Sequence, residues 1–437
     1  MSDYKLSKFN YYVEYSEKFV LLLNKLSKQT AIMENTKLDN IESGIYSIEN
    51  LEREIESGFV VSNQIDEDLL ANENLEKSLH SNVLSLTILT SESCNFKCAY
   101  CFDEFNNGNI KEHTMEEIIL YVRKNIHKYS ALHVEWFGGE PLLALNSIYY
   151  LSEKLIDICK KASRQYFAST TTNGYLLGFN EFKMLHKYKV YEYIVTLDGL
   201  AAIHNKNRPL KNGEGSFDKI IDNLRSIRDK INSKSFKITI RTNLTKEAYG
   251  QFESYIEFLN QEFGGDSRFT FMFNPVYDWG GERVDQIKDN LLDDICDFYN
   301  IIAKKGEKLN LSAMLNRATN RLCYYAGRNI YTITTEGGII ICPQLNKGRI
   351  GYLNNGKMEI APYKLASWYA LEATMDPKCQ DCQDYYLCKG KRCPANIKAI
   401  KEAGLLPEGF GCEKDAEELD AILPLVYKTN PELFIKL

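Results

Sequence analysis

The sequence lacks an apolar run long enough to cross a bilayer. The first such run, Phe19–Leu23, falls far short of the roughly 20 residues a membrane helix needs. A signal peptide is missing as well, because Met1–Asn10 is polar, so a cytoplasmic location with no membrane partner is expected. There is no excess of positive charge either. The 53 Lys and Arg are outnumbered by 59 Asp and Glu, for a formal net charge of −6, whereas a general nucleic-acid binder carries a basic field. No internal repeat and no low-complexity tract is visible. What is present is an ordinary globular composition, 44% hydrophobic and 26% charged over 437 positions, enough for two or three domains with substantial cores.

Cysteine is not scarce. In a reducing compartment, the twelve cysteines read as metal ligands rather than as a disulfide framework.

From Val83 onward, short β-rich runs alternate with amphipathic stretches. The pattern predicts strands at Val83–Leu89, Leu132–Phe137, Tyr166–Thr171, Tyr193–Leu197, Lys237–Thr242 and Phe269–Asn274. Helices are predicted at Met115–Lys128, Ile148–Lys161, Glu181–Lys187, Phe217–Ile231, Tyr249–Phe263 and Lys288–Lys304. Several strand runs are near-continuously apolar and β-branched, as buried parallel strands are. Six βα units in succession predict an α/β fold with a parallel sheet and right-handed crossovers, closed or partly closed.

Residues 1–81 read as a separate module. Phe9–Val13, Phe19–Leu23 and Thr30–Met33 form its short strands, and Ile48–Glu56 and Ile65–Leu75 are helix-like. This order suits a small winged-helix-like domain, with the acidic Asp66–Glu76 as an alternative linker helix. After about Ala313 the alternation gives way to turns and glycine, and seven of the twelve cysteines fall between Cys323 and Cys412. The expected division is therefore 1–81, a barrel at 82–312, a cysteine-rich domain at 313–415 and a helical tail at 416–437.

Just past the first barrel strand, Ser93–Cys101 places Cys94, Cys98 and Cys101 as CxxxCxxC. Three thiolates on one short loop hold three irons of a [4Fe–4S] cube and leave the fourth open to a small chelating ligand. Zinc is the alternative, but it wants a fourth protein ligand nearby, and His113 is the local candidate.

This loop, with Tyr100 before its third cysteine, resembles that of the radical SAM superfamily. Further strand ends share the resemblance: Gly138-Gly139-Glu140-Pro141, Thr172-Asn173-Gly174, Thr196-Leu197-Asp198-Gly199 and Arg241-Thr242-Asn243. Between them, Ile203-His204 to Arg208 and Gly215-Ser216-Phe217 are similar to a signature of peptide-modifying members. The resemblance implies a partial (β/α)6 barrel with its chemistry at the carboxyl ends of the strands. S-adenosylmethionine would be chelated by the open iron and cleaved by one electron to a 5′-deoxyadenosyl radical that abstracts hydrogen from substrate. Cofactor contacts are implied for Tyr100, Gly138, Gly139, Glu140, Thr172, Asn173, Thr196, Asp198, Arg208, Arg241 and Asn243.

The later pattern runs Cys323-x13-Gly337-x4-Cys342, then Cys379-x2-Cys382-x5-Cys388-x4-Cys393, and finally Cys412. This spacing resembles the SPASM domain, which holds two auxiliary [4Fe–4S] clusters and usually has three residues where this chain has four before Cys393. The resemblance assigns Cys379, Cys382, Cys388 and Cys412 to a distal cluster and Cys323, Cys342 and Cys393 to a proximal one. Ten cysteines for three clusters leave two irons open. Cys159 and Cys296, in helix-like segments without cysteine neighbours, read as core residues.

The N-terminal module resembles the leader-recognition domains of maturases that act on ribosomally made peptides, where a leader segment adds a strand to a sheet edge; a simple packing extension of the barrel is the alternative. After the sixth strand, Asp278 lies beside Tyr277 and Trp279 and reads either as a base for a substrate proton or as a loop-capping residue. The expectation is an enzyme that installs a thioether or other crosslink in a cysteine-containing precursor peptide, fed by a flavodoxin- or ferredoxin-type reductant. The alternative enzyme is an anaerobic sulfatase-maturating one, forming formylglycine from Cys or Ser. A non-enzymatic iron–sulfur carrier or a zinc-binding interaction protein is the reading from another class.

Overall fold

The structure is a computed structural model that describes residues 3–101, 108–276, 283, 287–291, 296–319, 322–343, 348–369, 379, 382–389 and 412–437. Asp278 and Cys393 lie outside the described residues. The chain divides into two compact units. One joins residues 1–80, 310–326 and 370–437, and the other joins 81–309 and 327–369.

In the first unit, β1 (Tyr4–Leu6), β2 (Asn10–Glu14), β3 (Phe19–Asn24) and β4 (Thr30–Glu34) precede α1 (Asn35–Glu42), α2 (Glu52–Glu56), β5 (Val60–Ser62) and α3 (Glu67–Leu79). β2, β3 and β4 form an antiparallel meander over a core of Val20, Leu22, Ala31, Met33, Ile41, Leu51, Phe59 and Val60. The acidic stretch expected as a linker is α3, started by the Asp66 carboxylate, which accepts from the Asp68 and Leu69 N–H groups. Its buried Ala71, Leu75 and Leu79 make it a packed helix.

The second unit carries the expected alternation, with the unpredicted helix α7 added to it: β6 (Val83–Ser91), α4 (Glu112–Asn125), β7 (Ala131–Gly138), α5 (Leu145–Lys161), β8 (Gln165–Thr172), α6 (Phe179–Lys187), β9 (Val190–Thr196), α7 (Ala201–Asn207), α8 (Phe217–Lys230), β10 (Lys237–Leu244), α9 (Tyr249–Glu262), β11 (Phe269–Pro275) and α10 (Cys296–Lys305). Strands β6 to β11 pair in chain order, all parallel. Burial explains the reading: β6 is buried at all but its first residue, as a strand covered on both faces must be. On α5, Ile148, Leu151, Ser152, Leu155, Ile158 and Cys159 are buried at helical spacing, so Cys159 is a core residue.

Among the described residues the sheet does not close on itself. After α11 (Ser312–Thr319) of the first unit, β12 (Ile330–Ile333) pairs parallel to β6, followed by antiparallel β13 (Gly338–Ile340), β14 (Arg349–Asn354) and β15 (Lys357–Ile360). Ten strands run in the order β11-β10-β9-β8-β7-β6-β12-β13-β14-β15 among the described residues, and α12 (Pro362–Tyr369) follows them.

Two expected boundaries change. The 313–415 stretch is shared between both units, because β12 continues the barrel sheet while α11 packs with α14 (Cys412–Thr429). The tail is not wholly helical either: after α14 the chain forms β16 (Phe434–Lys436), parallel to β4. Among the described residues no helix is long and apolar enough to cross a membrane.

Candidate functional site

Cys94, Cys98 and Cys101 lie on the loop that leaves the carboxyl end of β6. A segment far away in sequence holds that loop, because Lys97 N–H donates to the Pro209 carbonyl and Ala99 N–H to the Asn207 carbonyl, both at 2.9 Å. Lys211 N–H returns a bond to the Asn95 carbonyl at 2.9 Å, and Phe96 bridges Leu210. Cys94 and Cys98 are buried and Cys101 is half-buried. Burial pushes the Cys94 thiol up to about 11 and raises Cys98 as well, against the lowering charge of Arg208. Such thiols need a bound cation to lose their protons. Among the described residues no three His, Cys, Asp or Glu groups gather as they would round a single metal ion, and the His113 ring lies 3.3 Å from Thr114 Oγ1. A cube that takes each thiolate on a different iron does not ask for such convergence, so the donor set fits a [4Fe–4S] cluster.

At the end of β7, Gly138 has φ +135°, a conformation that disfavours L side chains, and a methyl group there would overlap the Ser91 carbonyl oxygen. That oxygen accepts from Gly139 N–H at 2.9 Å, and Glu140 N–H donates to the Ser93 carbonyl at 2.9 Å. The β7 end is thereby bound to the start of the cysteine loop. The Glu140 side chain is fully buried and occupied within the protein. It accepts from Thr172 Oγ1 at 2.7 Å, Asn173 N–H at 2.8 Å and Leu142 N–H at 3.0 Å. Burial raises its pKa despite these donors. Replacing Glu140 with Gln sets an amide NH2 against one of three donors. A loss of about 2–4 kcal/mol is expected in denaturant unfolding, and an unchanged midpoint would contradict this tie between β7 and β8. Asn173 continues the tie to the cysteine loop by donating to Asn95 Oδ1 at 2.8 Å.

A second knot joins the ends of β9 and β10. The Tyr100 hydroxyl donates to Asp198 Oδ2 and accepts from Arg208 Nη1 at 2.7 Å and Asn243 Nδ2 at 2.9 Å. Asn243 N–H donates to Asp198 Oδ1 at 3.0 Å, and Arg241 Nε donates to Asn243 Oδ1 at 3.1 Å. Thr196 is buried and registers opposite Arg241. Burial raises the Asp198 and Tyr100 pKa values, with Arg208 opposing both. Burial also works against the Arg208 charge, but Cys98, Tyr100 and Asp198 outweigh it and hold the guanidinium charged.

Sequence reading gave no role to Asn95, His204, Asn205 or Ser216. Asp198 N–H donates to His204 Nδ1 at 3.2 Å, so His204 Nε2 carries the proton toward Ser216 Oγ at 3.0 Å, and Ser216 donates to the Arg208 carbonyl at 2.8 Å. Asn205 Oδ1 accepts from the N–H groups of Ser216 and Phe217 at 2.8 and 3.0 Å. The motif residues were the signal; their coupling through the short α7 was not visible. Burial holds the His204 pKa well below its ordinary value, so stability should fall as pH drops below about 6.5, where the unfolded imidazole binds a proton that the folded one refuses. His204→Gln is expected to flatten that slope. An equal slope in both proteins, read from unfolding midpoints, would contradict it.

The later cysteines belong to different units. Cys342 is buried just after β13, and Cys323 packs with Leu322, Leu75, Leu79 and Ala326. Cys379 and Cys382 share a turn, with Cys382 N–H donating to the Cys379 carbonyl at 3.4 Å. Buried Cys388 ends α13 (Tyr385–Cys388), and Cys412 is the first residue of α14. Within this unit α13 packs on α3, and Lys25 pairs with Asp384 at 2.9 Å.

A parallel α/β sheet with a three-cysteine loop at the carboxyl end of its first barrel strand is the arrangement of the radical SAM superfamily, whose family model matches residues 88–259. The chain is a radical SAM enzyme, and that membership implies S-adenosylmethionine and a [4Fe–4S] cluster. It is 23% identical over 371 residues to a cysteine-type anaerobic sulfatase-maturating enzyme of Clostridium perfringens, covering 78% of this chain and 96% of the relative. Its fold is similar to that of native anSMEcpe with bound AdoMet and Cp18Cys peptide, at a TM-score of 0.56 and 19% identity, over 80% of this chain and 99% of the other. It is also similar to Streptococcus suis SuiB bound to precursor peptide SuiA, at a TM-score of 0.50 and 16% identity, over 91% and 97% of the two chains.

Proposed function

We propose that the chain abstracts hydrogen from a ribosomally made, cysteine-containing precursor peptide and installs a thioether or other crosslink. The observation that supports this best is the reach of the fold likeness: 91% of the chain for the peptide-bound SuiB structure, against 80% for anSMEcpe. Bound S-adenosylmethionine and the cluster on Cys94, Cys98 and Cys101 would supply the hydrogen-abstracting chemistry. Arg208, a buried permanent cation, is suited to a carboxylate, and the Gly138–Gly139 backbone to an amino group. Thr172, Asn173, Thr196, Asp198, Arg241 and Asn243 would line the remainder of that site. The seven later cysteines would hold two auxiliary clusters that pass electrons, with a flavodoxin- or ferredoxin-type donor.

A thioether removes one hydrogen atom from carbon and one proton from the thiol, and the remaining electron goes to an auxiliary cluster. Asp278 is the proposed proton acceptor. Reduced enzyme incubated with S-adenosylmethionine and a short cysteine-rich peptide encoded beside it is expected to lighten the peptide by two hydrogens; an unchanged mass for every such peptide would count against this.

The second reading, formylglycine formation on Cys or Ser, is favoured by the alignment over 96% of a sulfatase-maturating relative. Offering both peptides to the full chain separates the two. Conversion of a sulfatase-derived peptide, with the cysteine-rich one untouched, selects the second.

A further inference from the structure

We infer that the outer edge of β4 is a peptide-strand site that the chain fills with its own segment Pro431–Leu437, and that an extended segment of the substrate docks there by displacing it. The identity of the displacing strand rests on the peptide-modifying reading above; the site itself does not.

The antiparallel meander of β2, β3 and β4 does not stop at β4. Beyond it lies β16, roughly 400 positions later in sequence by the register itself: Phe434 opposite Thr30, Ile435 opposite Ala31, and Lys436 opposite Ile32. Leu437 N–H donates to the Ile32 carbonyl at 3.0 Å, and Thr30 Oγ1 donates to the Leu433 carbonyl at 2.7 Å.

Side chains alternate as in any added strand. Ile435 and Leu437 pack against the cluster that holds Val20, Leu22, Ala31 and Met33. Phe434 turns to the opposite face, is buried, and meets the Tyr427 ring edge-on at 5.0 Å, while Lys436 is exposed. The occupant defines what the edge accepts: an extended backbone with apolar residues on both faces.

The hold is partial. Pairing covers Thr30–Ile32, whereas β4 continues to Glu34, and parallel pairs are slightly less stable per residue than antiparallel ones. A longer antiparallel strand of the same pattern would gain main-chain bonds along the rest of β4. It cannot share the edge with β16, so substrate docking and the cis strand exclude one another.

The probe is a fluorescein-labelled peptide with the sequence of Pro431–Leu437, read by anisotropy against the iron-loaded full chain and a chain lacking Asn430–Leu437. It is expected to bind the shortened chain at least tenfold more tightly. A version carrying Phe434→Asp and Ile435→Asp should not bind. Equal binding to both chains, or none to a shortened chain with unchanged circular dichroism and cluster absorbance, would overturn the inference.

If shortening unfolds the protein, a protease site inserted after Thr429 replaces it. Exchange of the cut segment for labelled peptide then supports the site, and failure to exchange contradicts it. In the last arm, a precursor peptide that the enzyme modifies must displace the label. A peptide that is modified without displacing the label refutes docking at this edge and leaves the proposed function standing. If the label binds but no peptide is modified, the strand site stands, and the substrate half falls together with that function.

Discussion

Replacing Cys94, Cys98 and Cys101 together with alanine is expected to abolish cleavage of S-adenosylmethionine and to lower the iron of the anaerobically reconstituted chain by about four atoms, since each [4Fe–4S] cube carries four. Cys94 and Cys98 are buried and Cys101 is half-buried, and burial favours the protonated forms of Cys94 and Cys98. On the proposed reading the three thiols serve as metal ligands rather than as reactive thiolates. Their loop is fixed from outside by main-chain bonds to residues 207–211, so the substitutions remove donors without removing the scaffold. Cys159 provides the control. It is buried in the α5 stripe, and Cys159→Ala should leave iron and cleavage unchanged while costing about 1 kcal/mol of stability. A triple variant that keeps its full iron would contradict the assignment of the loop.

The second large effect is expected from Gly138→Ala. Its φ of +135° is strained for any L residue, and the added methyl overlaps a backbone oxygen, that of Ser91. Backbone cannot swing aside as a long side chain does. The same oxygen also holds Gly139 N–H, so relief would break the bond that fastens the end of β7 to the exit of β6. Strain and overpacking together should cost about 2–6 kcal/mol and disable S-adenosylmethionine binding, measured by denaturant unfolding and equilibrium dialysis. Gly213→Ala separates the two causes. Gly213 has φ +87° with nothing near an added methyl, so backbone conformation alone should cost about 1–2 kcal/mol there. Equal losses at both positions would mean that the contact with Ser91 contributes nothing.

Six barrel strands were legible because strands covered on both faces need unbroken apolar, β-branched runs, and β6 shows this at nearly every position. The cysteine loop was legible because metal ligation fixes residue type and spacing together. Helix α7 was not. Ala201–Asn207 has little apolar periodicity, and its place is set by what it carries: His204 beneath Asp198 and the Asn207 carbonyl over the cysteine loop.

Short strands were hidden for a related reason. β12, β13 and β16 hold three or four residues each, and their strand character comes from the neighbours they pair with. The division into units was unreadable in chain order, because β16 closes on β4 from the far end of the sequence. Glu140 shows the limit of motif reading from the other side. The motif marked it for the cofactor, and its carboxylate is engaged by three donors of the protein itself.

The most direct test is to quantify 5′-deoxyadenosine by liquid chromatography and mass spectrometry after mixing the reduced, iron-loaded chain with S-adenosylmethionine and the neighbouring cysteine-rich peptide. 5′-Deoxyadenosine is expected to accumulate, and to do so faster when the peptide is present, as the peptide becomes lighter by two hydrogens. Its absence from fully iron-loaded protein would contradict the account at its centre.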